Sequence, residues 1–391
     1  MSYLNYDDVL DQLLAGGLKV DTVKTSRGGV TVGQLVVGST SPVRCETEDS
    51  TEKRGWYWIS VVQLPDADGR LEDYLIGSYG IYHANDNGKQ NLKLKRDGRP
   101  SLSQAEKDAM RVRLADQAKK AKALRAAEAK KAADKADRCW RKYVPTGESD
   151  YLARKGVKAY GLRFSPSGNG TVAVPMLRDG RVVGLQIIRG KDRGNKLEKQ
   201  YWPAGMDKVG AYHLIGGIPR GLVLVAEGYA TAATLHESTG LPVAVAFDAG
   251  SLMPVVADLA QKYRTSKILI CADDDYLTPG NPGCEAARLA ATAHGAAWCS
   301  PKFSEERSTT KKGPTDYNDL ANLEGPHVVA NQITAHLESL GWKLPRAREL
   351  APKGEGDAIP QAVSVMGLLD AIERFIPIDD DKGKSLFDNW T

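Results

Sequence analysis

The chain has 391 residues, 42% of them apolar and 26% charged, ordinary proportions for a folded protein that exclude a wholly disordered or collagen-like chain. Lys and Arg number 53 against 49 acidic residues, so the net charge of +4 says little by itself and the distribution of charge must carry any argument about partners. Five cysteines (Cys45, Cys139, Cys271, Cys284 and Cys299) form no Cys-x-x-Cys pair, which argues against a zinc ribbon and against a disulfide-built exported domain. At roughly 100–200 residues per domain, two to four domains are expected. No apolar run approaches the about 18 residues of a membrane span, and the first residues lack the basic and apolar regions of a signal peptide, so the expectation is a cytoplasmic protein.

Residues 56–62 and 74–82 are rich in aromatic and β-branched residues, with a turn-forming stretch at 66–69 between them and another following at 85–88. This pattern predicts β-hairpins in a small β-rich module over 1–100. Its aromatics Trp56, Tyr57, Trp58, Tyr79 and Tyr82 have two readings, a small apolar core or a stacking surface for single-stranded DNA. From 102 to 142 Ala, Lys, Arg and Glu dominate without a Gly or Pro, and Ser103 with Glu106 resembles a capping box, predicting one long helix within 101–143. Between 111 and 142, twelve basic residues face four acidic ones. That charge suits either a solvated spacer or a rod against nucleic-acid phosphates.

Residues 144–219 return to strand-like patterning, with a hairpin signal at Asp179-Gly180 between two apolar runs. A basic loop follows, in which Lys191, Arg193, Lys196 and Lys199 precede Tyr201-Trp202, and Lys208 comes soon after. From 220 to 340 the pattern becomes α/β. Short apolar runs at 222–226, 243–247 and 268–272 read as buried parallel strands, and the stretches 229–238, 252–264, 283–294 and 327–340 read as helices. Residues 341–391 read as a Pro- and Gly-rich linker and an acidic tail. The fold class expected is thus a multidomain chain, α/β and α+β: a β-rich N-terminal domain, a long basic helix, a mixed α+β subdomain and a domain with a parallel sheet.

The chemistry-bearing residues lie where two of these strands end. The first run closes on Glu227-Gly228 and the third on Asp273-Asp-Asp275. Ligands of open parallel sheets bind outside the carboxyl ends of the strands. Asp273 and Asp275 alternate along the chain and so can share a hard cation such as Mg²⁺, with Glu227 joining from the neighbouring strand. Helix capping is the competing reading for the triple Asp.

At these residues the sequence resembles the Toprim family of phosphoryl-transfer domains, found in primases, topoisomerases and some nucleases. Val225-Ala-Glu-Gly228 resembles its glutamate motif and Asp273-Asp-Asp275 its D-x-D motif. Within that family, Ala226-Glu-Gly-Tyr-Ala-Thr-Ala-Ala233 and Ala246-Phe-Asp-Ala-Gly-Ser-Leu252 look most like primases of conjugative plasmids and phage primase–helicases. The preceding segment resembles theirs at Tyr151-Leu-Ala-Arg-Lys-Gly, Val174-Pro, Leu185-Gln-Ile-Ile and Gly210-Ala-Tyr-His-Leu-Ile-Gly-Gly217. The resemblance runs over 137–325.

The resemblance implies roles. Glu227 is the general acid/base or a metal ligand, and Asp273 and Asp275 bind Mg²⁺ or Mn²⁺. Asp316, in Thr315-Asp-Tyr-Asn-Asp-Leu320, joins them, ahead of Asp319, for which a local cap is the alternative. Lys191, Lys196, Lys199 and Lys208 form a basic ridge for nucleotide phosphates or template, and Asp248 is a further candidate at the rim. Position 231 is Thr where bacterial replicative primases carry another acid, which leaves the number of metal ions open. The implied activity is synthesis of short primers from nucleoside triphosphates on single-stranded DNA. The implied setting is phage or mobile-element replication in a bacterial cell, with a replicative helicase in cis or in trans. A Toprim nuclease and a non-catalytic DNA-binding replication accessory protein are the alternatives. No cysteine spacing builds the zinc domain usual in such primases, which makes 1–100 a candidate replacement for it. Gly383-Lys384-Ser385 is not a phosphate loop, because Ile378 stands where the first Gly is required. The histidines show no ligand spacing, and His213 reads as a core residue.

Overall fold

A computed structural model describes residues 3–20, 29–39, 41–66, 70–82, 88–94, 104–189, 199–307 and 313–342. The expectations for Ser103, Lys191, Arg193, Lys196 and the 343–391 tail, Gly383-Lys384-Ser385 included, lie outside the described residues.

The N-terminal part holds helix α1 (Tyr6–Ala15) and strands β1 (Leu18–Lys19), β2 (Val30–Val32), β3 (Leu35–Val37), β4 (Val43–Thr47), β5 (Ser50–Pro65), β6 (Leu71–Ile81) and β7 (Gln90–Asn91). Among the described residues these seven strands form one sheet built around β5. Strand β5 pairs antiparallel with β6 from Gly55↔Ile81 to Pro65↔Leu71 and with β4 along its first half. The aromatic run that predicts a hairpin therefore forms one. Tyr57 is fully buried, and Trp56 and Tyr79 are also core, so a stacking surface made of all five aromatics does not exist. Trp58 and Tyr82 are half-buried; Trp58 Nε1 donates to Ser39 O at 2.8 Å and the Arg44 guanidinium lies 4.1 Å from the Tyr82 ring centre. Helix α1 is an addition to the β-rich module expected. Val9 and Leu13, four residues apart on one face, pack it onto Tyr57, Leu75 and Tyr79.

The long helix is present as α2 (Gln104–Lys142), 39 residues. Among its described residues the last third carries the main anchor. Ala136 and Trp140 pack against Ala173, Val182, Leu185 and Ile187, and alanines let the helix approach the sheet closely. Further toward its start Leu124 is exposed, and ion pairs run along the helix, Lys120 with Asp116 at 2.8 Å and Arg141 with Asp137 at 2.7 Å. Such pairs contribute about 0.3–0.5 kcal/mol each.

After α3 (Asp150–Lys155), strands β8 (Arg163–Phe164), β9 (Val172–Arg178), β10 (Arg181–Ile188) and β11 (Lys199–Trp202) form an antiparallel sheet in the order β11-β10-β9-β8. The β9–β10 turn has both central residues in the left-handed region, Asp179 at φ 50° and Gly180 at φ 74°, the twist a two-residue hairpin requires.

The remaining elements are β12 (His213–Ile215), β13 (Leu222–Ala226), α4 (Tyr229–Thr239), β14 (Val243–Val245), α5 (Ala249–Lys262), β15 (Lys267–Cys271), α6 (Pro282–His294), β16 (Ala297–Cys299), α7 (Tyr317–Glu324) and α8 (Pro326–Ser339). Their sheet has the order β12-β14-β13-β15-β16. Strands β14, β13, β15 and β16 run parallel, and β12 joins antiparallel. Period-two alternation divides each strand between two cores. Leu222, Leu224 and Ala226 face a layer with Leu235 of α4 and Val329, Ile333 and Leu337 of α8. Val223 and Val225 face Val255 and Leu259 of α5 and Ala287 and Ala290 of α6. Both faces are covered, which explains the unbroken apolar runs.

Leu224→Ala, deep between these layers, is expected to cost about 2–5 kcal/mol, and Leu124→Ala on the exposed part of α2 less than about 0.5 kcal/mol. Urea denaturation of the two variants checks this; equal losses would contradict the packing described.

Candidate active site at the strand ends

Strands β13 and β15 are in register through Ala226↔Cys271, so the residues that follow them emerge at the same edge. Glu227 Oε1 and Asp273 Oδ1 are both buried there with no hydrogen-bond partner. Burial pushes the Glu227 carboxyl up to about 8, and the charges of Asp275, Asp248 and Asp316 add to the shift against a backbone hydrogen bond at Asp273. Asp273 is pushed well above the carboxylate range by burial first, then by Glu227, Asp316 and Asp275, with Lys199 acting in the opposite sense. The structure thus brings Glu227, Asp273, Asp275 and Asp316 into one electrostatic cluster.

The first turn of α6 closes the floor of this cluster. A Cβ on Gly283 would stand 2.3 Å from Asp273 O and 3.1 Å from Glu227 Oε1, so only glycine allows the helix to sit against both acids. No motif marks this residue, because the close approach is tertiary. Asp274 belongs elsewhere: its carboxylate is bound by Arg307 at 2.5 Å and by Asn281 at 2.6 Å. Asp316 serves twice. It caps α7, accepting from Asp319 N at 2.8 Å, while Asp319 accepts from Thr315 N at 3.0 Å and pairs with Lys155 at 3.4 Å. Helix capping therefore accounts for Asp319, as its alternative reading has it, and for part of the duty of Asp316. Burial and the charge of Asp319 still raise the Asp316 carboxyl.

The basic side comes from β11 and the segment after it. Lys199 is exposed, and its Nζ stands 5.3 Å from the Tyr151 ring centre. Lys208 is paired with Asp248 and lies 4.8 Å from the Tyr201 ring centre. Tyr201 Oη lies 2.9 Å from Phe247 O and 3.0 Å from Asp248 Oδ2, and Ser251 Oγ donates to Asp248 Oδ1 at 2.7 Å. Burial alone would raise the Asp248 carboxyl, but the bonds from Lys208, Ser251 and Tyr201 outweigh it and hold its pKa low. Asp248 occupies the N-cap position of α5 without bonding the helix amides through its side chain, so capping is not what the carboxylate does. Phe247, just before it, sits at φ 76°, a strained left-handed geometry for a bulky residue. His213 is core, with Nε2 2.7 Å from Tyr160 O and its pKa lowered to about 4 by burial.

Among the described residues no three His, Cys, Asp or Glu side chains already form a metal cage. The donors nonetheless fit an Mg²⁺-type ion. Such an ion takes one or two protein carboxylates and fills its remaining positions with water and substrate phosphates. Two unpartnered buried carboxylate oxygens are what it would satisfy.

Residues 222–327 match the Toprim domain family. Two DNA primase TraC sequences of Escherichia coli are each 32% identical to this chain, over 168 and 171 residues, or 41% of the chain. The alignments cover only 11% and 16% of those relatives. Among solved structures, the primase fragment of the bacteriophage T7 primase-helicase is 14% identical, covers 46% of this chain and 68% of its own, and has a TM-score of 0.32. The DnaG primase catalytic domain bound to ssDNA is 14% identical, covering 56% and 80%, with a TM-score of 0.36. The Aquifex aeolicus primase is 13% identical, covering 73% and 80%, with a TM-score of 0.37.

Between the ordinary glutamate pKa of 4.5 and about 8, folded Glu227 keeps a proton that the unfolded chain has lost. Stability of the metal-free chain is therefore expected to fall as pH rises through that window. Glu227→Gln removes this titration, so its melting temperature should decline less over the same range. A variant with the wild-type slope would contradict the assignment.

Proposed function

We propose that the chain is a Toprim-type DNA primase that joins nucleoside triphosphates into short primers on single-stranded DNA. The observation that carries the reading is the pair of buried carboxylates, Glu227 and Asp273, each with one unpartnered oxygen, at adjacent strand ends inside the segment that matches the Toprim family. The 32% identity to DNA primase TraC supports it.

In this reading Asp273, Asp275 and Asp316, with Glu227, hold Mg²⁺ or Mn²⁺. When bound, the cation neutralises charge on the triphosphate and on the phosphoryl group in flight. The protein's own groups do the rest. Glu227, whose carboxyl stays protonated near neutrality while no cation is bound, takes the proton of the attacking hydroxyl once it is ionised. Lys199 meets the triphosphate from β11. Lys208 is held ready on Asp248 at the rim and turns to phosphate when substrate arrives. Lys191 and Lys196, outside the described residues, are assigned to nucleotide phosphates or template with Lys199 and Lys208. The exposed basic residues of α2 offer a track for the DNA backbone, and 1–100 takes the place of a template-reading module. A replicative helicase, in cis or in trans, is the expected partner, and the bacterial cytoplasm the expected place of action. No helix among the described residues is long and apolar enough to cross a membrane.

The test is incubation of the chain with single-stranded DNA, labelled nucleoside triphosphates and Mg²⁺ or Mn²⁺. Short labelled products are expected, reduced by at least about 100-fold in Glu227→Ala, Asp273→Ala and Asp275→Ala. Degraded template without product would replace the reading with a nuclease. DNA binding without either activity would replace it with a binding module.

A further inference from the structure

Asp274 stands between two acids of the site, yet its own carboxylate is fully engaged. Oδ2 accepts from Arg307 Nη2 at 2.5 Å, Oδ1 accepts from Asn281 Nδ2 at 2.6 Å, and its backbone N–H donates to Thr315 O at 2.8 Å. Arg307 also donates to Pro314 O at 3.2 Å, and its guanidinium packs 4.0 Å from the Tyr276 ring centre and 5.0 Å from that of Phe303. Asn281 adopts a left-handed backbone at φ 41°, and its Oδ1 accepts from Asp275 N at 3.0 Å and Cys284 N at 3.4 Å.

All of the hydrogen bonds among these except the one from Cys284 end on, or within two residues of, an acid of the site. Together they join three segments: the 273–275 turn, the start of α6 and the stretch leading to Asp316, the last two separated along the chain by the length of α6 and by β16. The Arg307 guanidinium, bonded to the Asp274 carboxylate, places an opposite charge beside it within this acid-rich turn. Arg suits this place better than Lys, because its planar fork reaches the Asp274 carboxylate and the Pro314 carbonyl at once.

We propose that Asp274, Arg307 and Asn281 are positioning residues that clamp these three segments and so set the mutual placement of Asp273, Asp275 and Asp316. The consequence for cation affinity rests on the reading of the site given above; the clamp itself does not. Groups that orient metal ligands from behind change affinity by about 10–100-fold when altered.

The experiment uses the full chain and the variants Arg307→Gln, Arg307→Lys and Asp274→Asn, with melting temperatures taken alongside. Hydrogen exchange is read in peptides covering 273–284 and 313–319, and Mn²⁺ uptake is read from the loss of the free-ion resonance signal. In Arg307→Gln and Asp274→Asn both peptides should exchange faster while those of β13 and α8 do not. The Mn²⁺ dissociation constant should rise about 10–100-fold, with partial recovery in Arg307→Lys. Arg288→Gln, which breaks an exposed pair with Glu285, should change neither. Unaltered exchange in Arg307→Gln would overturn the clamp. So would a loss of Mn²⁺ in Asp274→Asn as complete as in Asp273→Asn without faster exchange, since Asp274 would then be a ligand. A wild-type chain that takes up no Mn²⁺ would defeat the reading of the site and leave exchange to decide the clamp.

Discussion

Glu227 and Asp273 leave the ends of neighbouring strands with one oxygen each buried and unpartnered, and the repulsion between them is the constraint the surrounding structure answers to. Two unit charges 4 Å apart at an effective dielectric near 20 interact by about 4 kcal/mol, several times the net contribution of an ordinary hydrogen bond. A fold gains nothing from holding such groups ionised side by side. Without a cation, protons take its place: burial first, and then the charges of neighbouring acids, raise the pKa values of Glu227 and Asp273. A hard cation would relieve the repulsion and leave the carboxylates charged.

The rest of the architecture can be understood as the means of keeping the acids in place. The parallel sheet brings Glu227 and Asp273 to one edge, and its apolar faces lock that edge between α4 with α8 and α5 with α6. Gly283 lets α6 press against both acids. The reciprocal cap between Asp316 and Asp319 fixes the start of α7 and with it the fourth acid. On the opposite side, Tyr201 and Lys208 reach from the β11 region to Asp248 at the end of β14, holding positive charge at the rim. Chain-wide neutrality therefore conceals a local separation, acids at the strand ends and bases beside them.

Much of this was legible in the amino-acid order because it depends on local chemistry. Strands β13, β14 and β15 are buried on both faces and so are continuously apolar. The Asp179-Gly180 turn announces its hairpin, and an unbroken run of Ala, Lys, Arg and Glu announces α2. Glu227, Asp273 and Asp275 stand out because acids directly after apolar strands are conspicuous. Helix α1 was hidden by its shortness within a β-rich stretch. The core role of Tyr57 was one of two open readings, since an aromatic strand looks alike whether it faces a core or a ligand. Gly283, Asn281 and Arg307 carried no signal: their importance lies in contacts made across folded segments, and Arg307 reaches Asp274, 33 positions away.

The central claim is that Glu227 and Asp273 form a cation site that holds protons until the cation arrives. Calorimetric titration of the chain with Mn²⁺ at neutral pH, repeated in buffers of different ionisation enthalpy, measures this directly because it counts protons released on binding. The account predicts saturable binding with release of at least about one proton, and a smaller release in Glu227→Gln. Absence of binding, or binding with no proton released, would contradict it.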